Sequence, residues 1–154
     1  LIADIRQAGA RIQLHTDGDV AGSLMAIDPK SEVDVMMGTG GTPEGVISAC
    51  ALRAMGGWML ARLDPQSDQE RQAIVEAGVD LSRVLTVEDL VTSEDVFFAA
   101  TGISTGAFLP GVRFDGGGAV TTSLSMRGKT GTVRTIEARH RFEKLMRFSA
   151  VKYD

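Results

Sequence analysis

Cysteine is nearly absent from this chain: Cys50 stands alone, which excludes an internal disulfide and makes a reducing compartment the default. Aromatic residues are scarce at 5 %, with one Trp and one Tyr. Histidine is represented by His15 and His140 alone, too far apart in sequence to form a local metal motif. No apolar run approaches the roughly twenty residues of a membrane span, and no charged-then-apolar leader pattern opens the chain. No block of Lys or Arg is present and the net charge is −4, which argues against non-specific nucleic-acid binding. What remains is the profile of an ordinary globular protein expected in the cytoplasm: 154 residues, 44 % hydrophobic and 23 % charged.

Glycine, by contrast, is plentiful, and its placement is informative. In Asp34-Val35-Met36-Met37-Gly38-Thr39-Gly40-Gly41-Thr42-Pro43-Glu44-Gly45 an apolar run ends in a glycine-rich turn that leads into a helix. Thr42 takes the cap position and Pro43 the first helical position of that reading. Backbone amides left bare by glycines at a helix start can approach an anion, and Glu44 sets a carboxylate in the same turn. A phosphate ester beside a divalent cation satisfies both features, because the cation offsets the charge repulsion. A tight βα connection with glycines serving packing alone has the same spacing. The segment is not a Walker loop, since no Gly-Lys-Ser/Thr follows, and it lacks the G-x-G-x-x-G order of a dinucleotide site.

Along the chain, Leu1, Ile2, Ile5 and Ala8 share a helical face, with Gly9 as the stop. The chain opens inside this helix with no initiator Met and no cap, so a fragment of something longer is expected. Arg11 to Leu14 reads as a strand, His15 to Asp19 as a turn, and Val20 to Ile27 as a helix. Val33 to Met37 reads as a buried strand, Pro43 to Met55 as a helix ended by Gly56-Gly57, and Trp58 to Leu63 as a strand. Ser67 caps a helix to Ala77, Thr86 opens a short one, and Asp95 to Ala100 is extended. This β-then-α order predicts an α/β fold with a mostly parallel or mixed sheet. Val112 to Phe114, Ala119 to Met126 and Thr132 to Arg141 are strands, the last two joined through Gly128-Lys129-Thr130-Gly131 as a C-terminal antiparallel hairpin. Residues 1–154 form one domain in this reading.

Cys50, Met36, Met37 and Trp58 read as buried side chains, Trp58 in the core or at an interface, and Arg127, Lys129 and Arg134 as a solvated hairpin tip. His15 and His140 read as surface or strand-end residues, with a place in a pocket wall as the alternative for His15, just before the Asp17-Gly18-Asp19 turn.

Four blocks in order resemble one family. They are Thr16-Asp17-Gly18-Asp19-Val20-Ala21-Gly22; Gly38-Thr39-Gly40-Gly41-Thr42-Pro43-Glu44-Gly45-Val46; Phe98-Ala99-Ala100-Thr101-Gly102-Ile103; and Ser125-Met126-Arg127-Gly128-Lys129-Thr130-Gly131-Thr132-Val133-Arg134. Together they resemble the class II fructose-1,6-bisphosphatases, the GlpX-like phosphatases of bacteria, over the C-terminal half of such an enzyme. The resemblance implies the layered helix–sheet fold of the lithium-sensitive sugar phosphatases, present in part. It implies hydrolysis of the 1-phosphate of fructose 1,6-bisphosphate with Mg²⁺ or Mn²⁺, in gluconeogenesis or the Calvin cycle, and in one branch of sedoheptulose 1,7-bisphosphate too. By the same resemblance Glu44 matches the metal-ligating glutamate, Gly41 the glycine whose backbone faces the substrate, and Asp17, Gly18 and Asp19 the turn that holds the sugar phosphate. An Asx turn and an N-cap would use Asp17 and Asp19 equally well.

The family's first metal-binding carboxylates lie in its N-terminal half, so the fragment is expected to be inactive alone. Expected partners are the sugar bisphosphate and further copies of the chain as a homo-oligomer, with no nucleic acid and no membrane. Thr105 and Ala107 stand where the family tends to carry acidic residues, and Gly128 where Ser is frequent. A non-catalytic sugar-phosphate-binding module and an inositol-monophosphatase-like enzyme are the alternatives.

Overall fold

The computed structural model describes residues 1–149. Helix α1 (Ile2–Gln7) is followed by α2 (Asp19–Met25) and the long α3 (Thr42–Met55), then β1 (Leu60–Ala61) and α4 (Asp68–Glu76). After these come β2 (Leu85–Thr86), α5 (Val87–Leu90), β3 (Phe97–Thr101), β4 (Arg113–Asp115), β5 (Gly118–Arg127), β6 (Thr132–Arg141) and α6 (Phe142–Leu145). No helix among the described residues is long and apolar enough to cross a membrane.

The elements signalled by local chemistry form where the sequence places them. Ser67 accepts a hydrogen bond from the Glu70 amide and opens α4. Thr86 and Asp89 make a reciprocal capping box around α5. Gly56 closes α3 in the left-handed conformation (φ 75°) that glycine adopts without strain. The C-terminal hairpin is antiparallel as expected, with Gly118 opposite Arg141 at its base and Arg127 opposite Thr132 beside the turn.

The parallel or mixed sheet does not form. Among the described residues every ladder is antiparallel: β1 pairs with β2, while β5 carries β3 and β4 along one edge and β6 along the other. Among the described residues Arg11–Leu14 and Val33–Met37 join no ladder, and Trp58–Leu63 contracts to the two residues of β1. Val35 and Met37 are 69 % and 59 % exposed, and Trp58 is 77 % exposed, so none of them is the core residue the apolar pattern predicts. Met36 and Cys50 are half-buried. The physical reason is that an apolar run sets which side chains want burial but supplies no strand to pair with, and β-preference follows the neighbours available.

The core lies where α3 crosses the larger sheet. Leu24 of α2, Ala51 and Ala54 of α3, Phe98 of β3, and Leu124 and Met126 of β5 form one buried cluster. Along β5, Val120, Leu124 and Met126 point to the same face and are buried, while Thr121, Ser123 and Ser125 point the other way and are half-buried. Alanines on α3 let its backbone approach the sheet, and the large side chains of β3 and β5 fill the space between. This packing fixes the direction of α3, and therefore the position of its first turn.

Candidate functional site

Gly41 is the N-cap of α3, extended at φ −65° and ψ 150°, and no side chain caps the helix. Thr42 is thus the first helical residue rather than the cap that its position suggested. Its hydroxyl does not take up the free amides of the first turn, which stay available to an outside acceptor. The Gly45 amide already donates to the Gly41 carbonyl at 3.0 Å, closing the first turn. Glu44 sits in that turn with its side chain exposed to solvent.

The Asp17-Gly18-Asp19 turn reaches this place through α2. Gly18 caps α2 in the left-handed region at φ 82°. Asp19 is the first helical residue, its carbonyl accepting from Ser23 Oγ at 2.9 Å. Gly22, one turn on, presents no Cβ to Met36: a methyl group there would stand 3.4 Å from Met36 Cγ. That close passage lays the glycine loop alongside α2. A Cβ at Gly40 would overlap Oδ2 of Asp19, and a Cβ at Gly41 would overlap Oε2 of Glu44. Two carboxylates, from residues far apart in sequence, therefore lie against two successive glycines. Gly40 and Gly41 keep that space open by having no side chain.

Of the site residues read from the sequence, Asp19, Gly41 and Glu44 come together, with Gly40 added by the structure. Gly18 supplies the turn that aims Asp19. Asp17 and His15 are exposed in the same turn. Gly40 was hidden because its role depends on a contact with another helix, which spacing does not reveal. Among the described residues no group of three or more His, Cys, Asp or Glu side chains gathers as a metal cage. The carboxylates of Asp19 and Glu44 suit Mg²⁺ or Mn²⁺ in kind, being hard oxygen donors, but fall short of a full ligand set in number.

The site is an open ledge. Cavities of about 360 and 390 Å³ lie elsewhere, one beside Asp28, Lys30 and Phe108, the other beside Arg53, Glu94 and Gly128 at the far end of α3. At that end Arg53, which carries no sequence signal, bonds Glu88 at 2.7 Å and approaches Glu94 at 3.7 Å. Arg127 is not part of a solvated tip: its guanidinium lies 5.2 Å from the Phe97 ring centre and 3.9 Å from Asp95. Lys129 and Arg134 are exposed. Thr105 accepts a hydrogen bond from the Gly111 amide at 3.1 Å, a structural task within its own loop. His140 bonds the Thr121 hydroxyl through Nε2 at 3.0 Å, away from the ledge.

Fold and site together define a protein of helices packed on antiparallel sheet, with an uncapped helix start flanked by two carboxylates. Comparison with known proteins gives the family. The family described as bacterial fructose-1,6-bisphosphatase, glpX-encoded, matches residues 1–140, and the chain belongs to it. Fructose-1,6-bisphosphatase class 2 of Haemophilus influenzae is 39 % identical over 158 residues, covering 94 % of this chain and 47 % of that protein. Fructose-1,6-bisphosphatase 1 class 2 of Escherichia coli K12 is 39 % identical over 157 residues, with the same shares covered. The chain thus spans about half the length of the curated relatives it matches.

Proposed function

We propose that this chain is the C-terminal half of a class II fructose-1,6-bisphosphatase, folded as one domain of the layered sugar-phosphatase type. Its substrate in this reading is a sugar bisphosphate, fructose 1,6-bisphosphate or also sedoheptulose 1,7-bisphosphate, and the reaction is hydrolysis of the 1-phosphate in gluconeogenesis or the Calvin cycle. The placement of Asp19 and Glu44 against Gly40 and Gly41 is the observation that carries the reading. The free amides at the start of α3 face an anionic group, and Asp17 and Asp19 accept hydrogen bonds from sugar hydroxyls. Glu44 serves as one ligand of a Mg²⁺ or Mn²⁺ ion, and the partner half supplies the remaining ligands. Such an ion, when bound, draws charge from the phosphoryl group. The protein acts in the cytoplasm, without nucleic acid or membrane.

The decisive assay measures phosphate release from fructose 1,6-bisphosphate with Mn²⁺. The chain alone should give none. The chain joined to the N-terminal part of the Haemophilus relative should turn over, and Glu44→Gln in that fusion should lower kcat/KM by about 100-fold, the scale of a lost metal-site carboxylate. Robust turnover by the isolated chain, or an unchanged Glu44→Gln fusion, would overturn the proposal. The lack of a three-ligand cluster among the described residues favours one rival, a non-catalytic module that binds sugar phosphates without metal. Calorimetry separates the two: tight bisphosphate binding in EDTA would establish the module.

A further inference from the structure

We propose that Asp17-Gly18 is a site of spontaneous isoaspartate formation, a covalent modification that ages the candidate site from within. Aspartate isomerises when the amide nitrogen of the next residue attacks the side-chain carboxyl and closes a five-membered succinimide ring. Glycine in that next place favours the attack, because no Cβ crowds the nitrogen and the peptide turns freely. The chain has two Asp-Gly pairs, Asp17-Gly18 and Asp115-Gly116, and the structure separates them. Asp17 is exposed, and among the described residues neither its carboxylate nor the Gly18 amide makes a hydrogen bond. Gly18 is the cap of α2, so its amide lies outside the helical ladder and attack breaks no helical bond. Gly18 stands at φ 82° with nothing within 4 Å of the place a Cβ would take, which leaves room for the ring. Asp115, by contrast, is held twice. Its Oδ1 accepts from the Gly117 amide at 3.1 Å, and the residue pairs with Gly118 across the tight turn from β4 to β5. Reaction there must first break that bond and open a closed turn.

The step balances without any other reactant. The Gly18 nitrogen bonds to Cγ of Asp17, and a carboxyl oxygen leaves as water, taking the amide proton with it. Water then opens the imide. Cleavage between the nitrogen and Cγ restores aspartate, whereas cleavage between the nitrogen and the main-chain carbonyl carbon gives isoaspartate. Mass is unchanged overall. In isoaspartate the main chain runs through Cβ and Cγ, one atom longer than before, and the carboxylate hangs on Cα. That extra atom falls immediately before the cap of α2. It displaces Gly18, whose carbonyl accepts from the Gly22 amide at 2.9 Å, and turns the Asp19 carboxylate away from Gly40. The pair of carboxylates on the ledge is thereby undone. This chemistry is independent of the proposed phosphatase activity.

The test ages the full chain in warm neutral buffer and counts isoaspartate by enzymatic methyl transfer from S-adenosylmethionine, with peptide mapping to locate it. In the native chain Asp17 should convert faster than Asp115 by about fivefold, the factor that breaking one ordinary hydrogen bond first would impose. In urea the two should convert at similar rates. Asp17→Glu, which would have to close a six-membered ring, should remove most of the native signal, and Asp115→Glu should leave it. In the isoaspartyl fraction, separated by chromatography, hydrogen exchange at the Gly22 amide should be faster than in the fresh chain. The chain joined to the N-terminal part of the Haemophilus relative should convert at the same residue. A native chain that accepts no methyl groups, conversion at Asp115 in place of Asp17, or an unchanged signal in Asp17→Glu would overturn the proposal. So would unaltered exchange at Gly22 in the isoaspartyl fraction, or a joined chain in which Asp17 stays intact.

Discussion

Gly40 and Gly41 are distinguished from most other glycines of the chain by what occupies the space a methyl group would need: a carboxylate oxygen in each case. Alanine at either position must push that carboxylate away, at little cost to the fold, because the obstacle is the end of a flexible side chain. Gly41→Ala should therefore lower Mn²⁺ affinity of the fused enzyme about tenfold while the melting temperature stays within a few degrees, as titration calorimetry and thermal unfolding would show. Gly18 has the opposite profile. Nothing lies near its missing Cβ, yet its φ of 82° is strained for any other residue. Gly18→Ala should cost about 1 kcal/mol in denaturant unfolding and disturb the aim of Asp19. Much of this residue-level chemistry was legible beforehand: Asp19, Gly41 and Glu44 are close in type and order to a recognisable pattern. Gly40 was not, because its use arises from the meeting of α2 and the loop, and neither segment alone encodes that meeting.

At the scale of elements, short-range chemistry was readable and long-range pairing was not. Ser67, Thr86 and Gly56 act within one helical turn, and all three mark real boundaries. Val33–Met37 has the composition of a buried strand, yet Val35 and Met37 are exposed, and the segment pairs with no strand among the described residues. Helix α5 offers a test of the short-range rule. The Thr86 amide, donating to Asp89, holds the Asp89 carboxyl below its ordinary value of 3.8, and Arg83 beside it acts the same way. A depressed carboxyl favours the folded state once pH exceeds its unfolded value, and that contribution disappears as pH falls through the folded one. Protection of the α5 amides against hydrogen exchange should thus be flat from pH 7 to about 4, after correction for intrinsic rates, and fall below that. Thr86→Ala should remove about 1 kcal/mol of stability, as caps of this kind do.

For the whole molecule, the organising contact is α3 on the antiparallel sheet, and the sequence announced the helix but not the surface beneath it. β5 was readable as a strand, while its pairing with β3 and β4 on one edge required the chain to return from a distance. Ala51 and Ala54 are buried against that sheet, and the helix that bears them carries Glu44 toward its other end, about 10 to 15 Å away along the axis at about 1.5 Å per residue. Ala51→Leu should force the helix outward, cost about 2 kcal/mol, and weaken Mn²⁺ binding in the fused enzyme without touching any group on the ledge. Calorimetry on the purified variant would check both effects. In the proposed enzyme the reach of the Glu44 carboxylate is accordingly inherited from the smallness of two methyl groups: a tuning screw for the chemistry sits inside the packing, a helix length away from the ledge it adjusts.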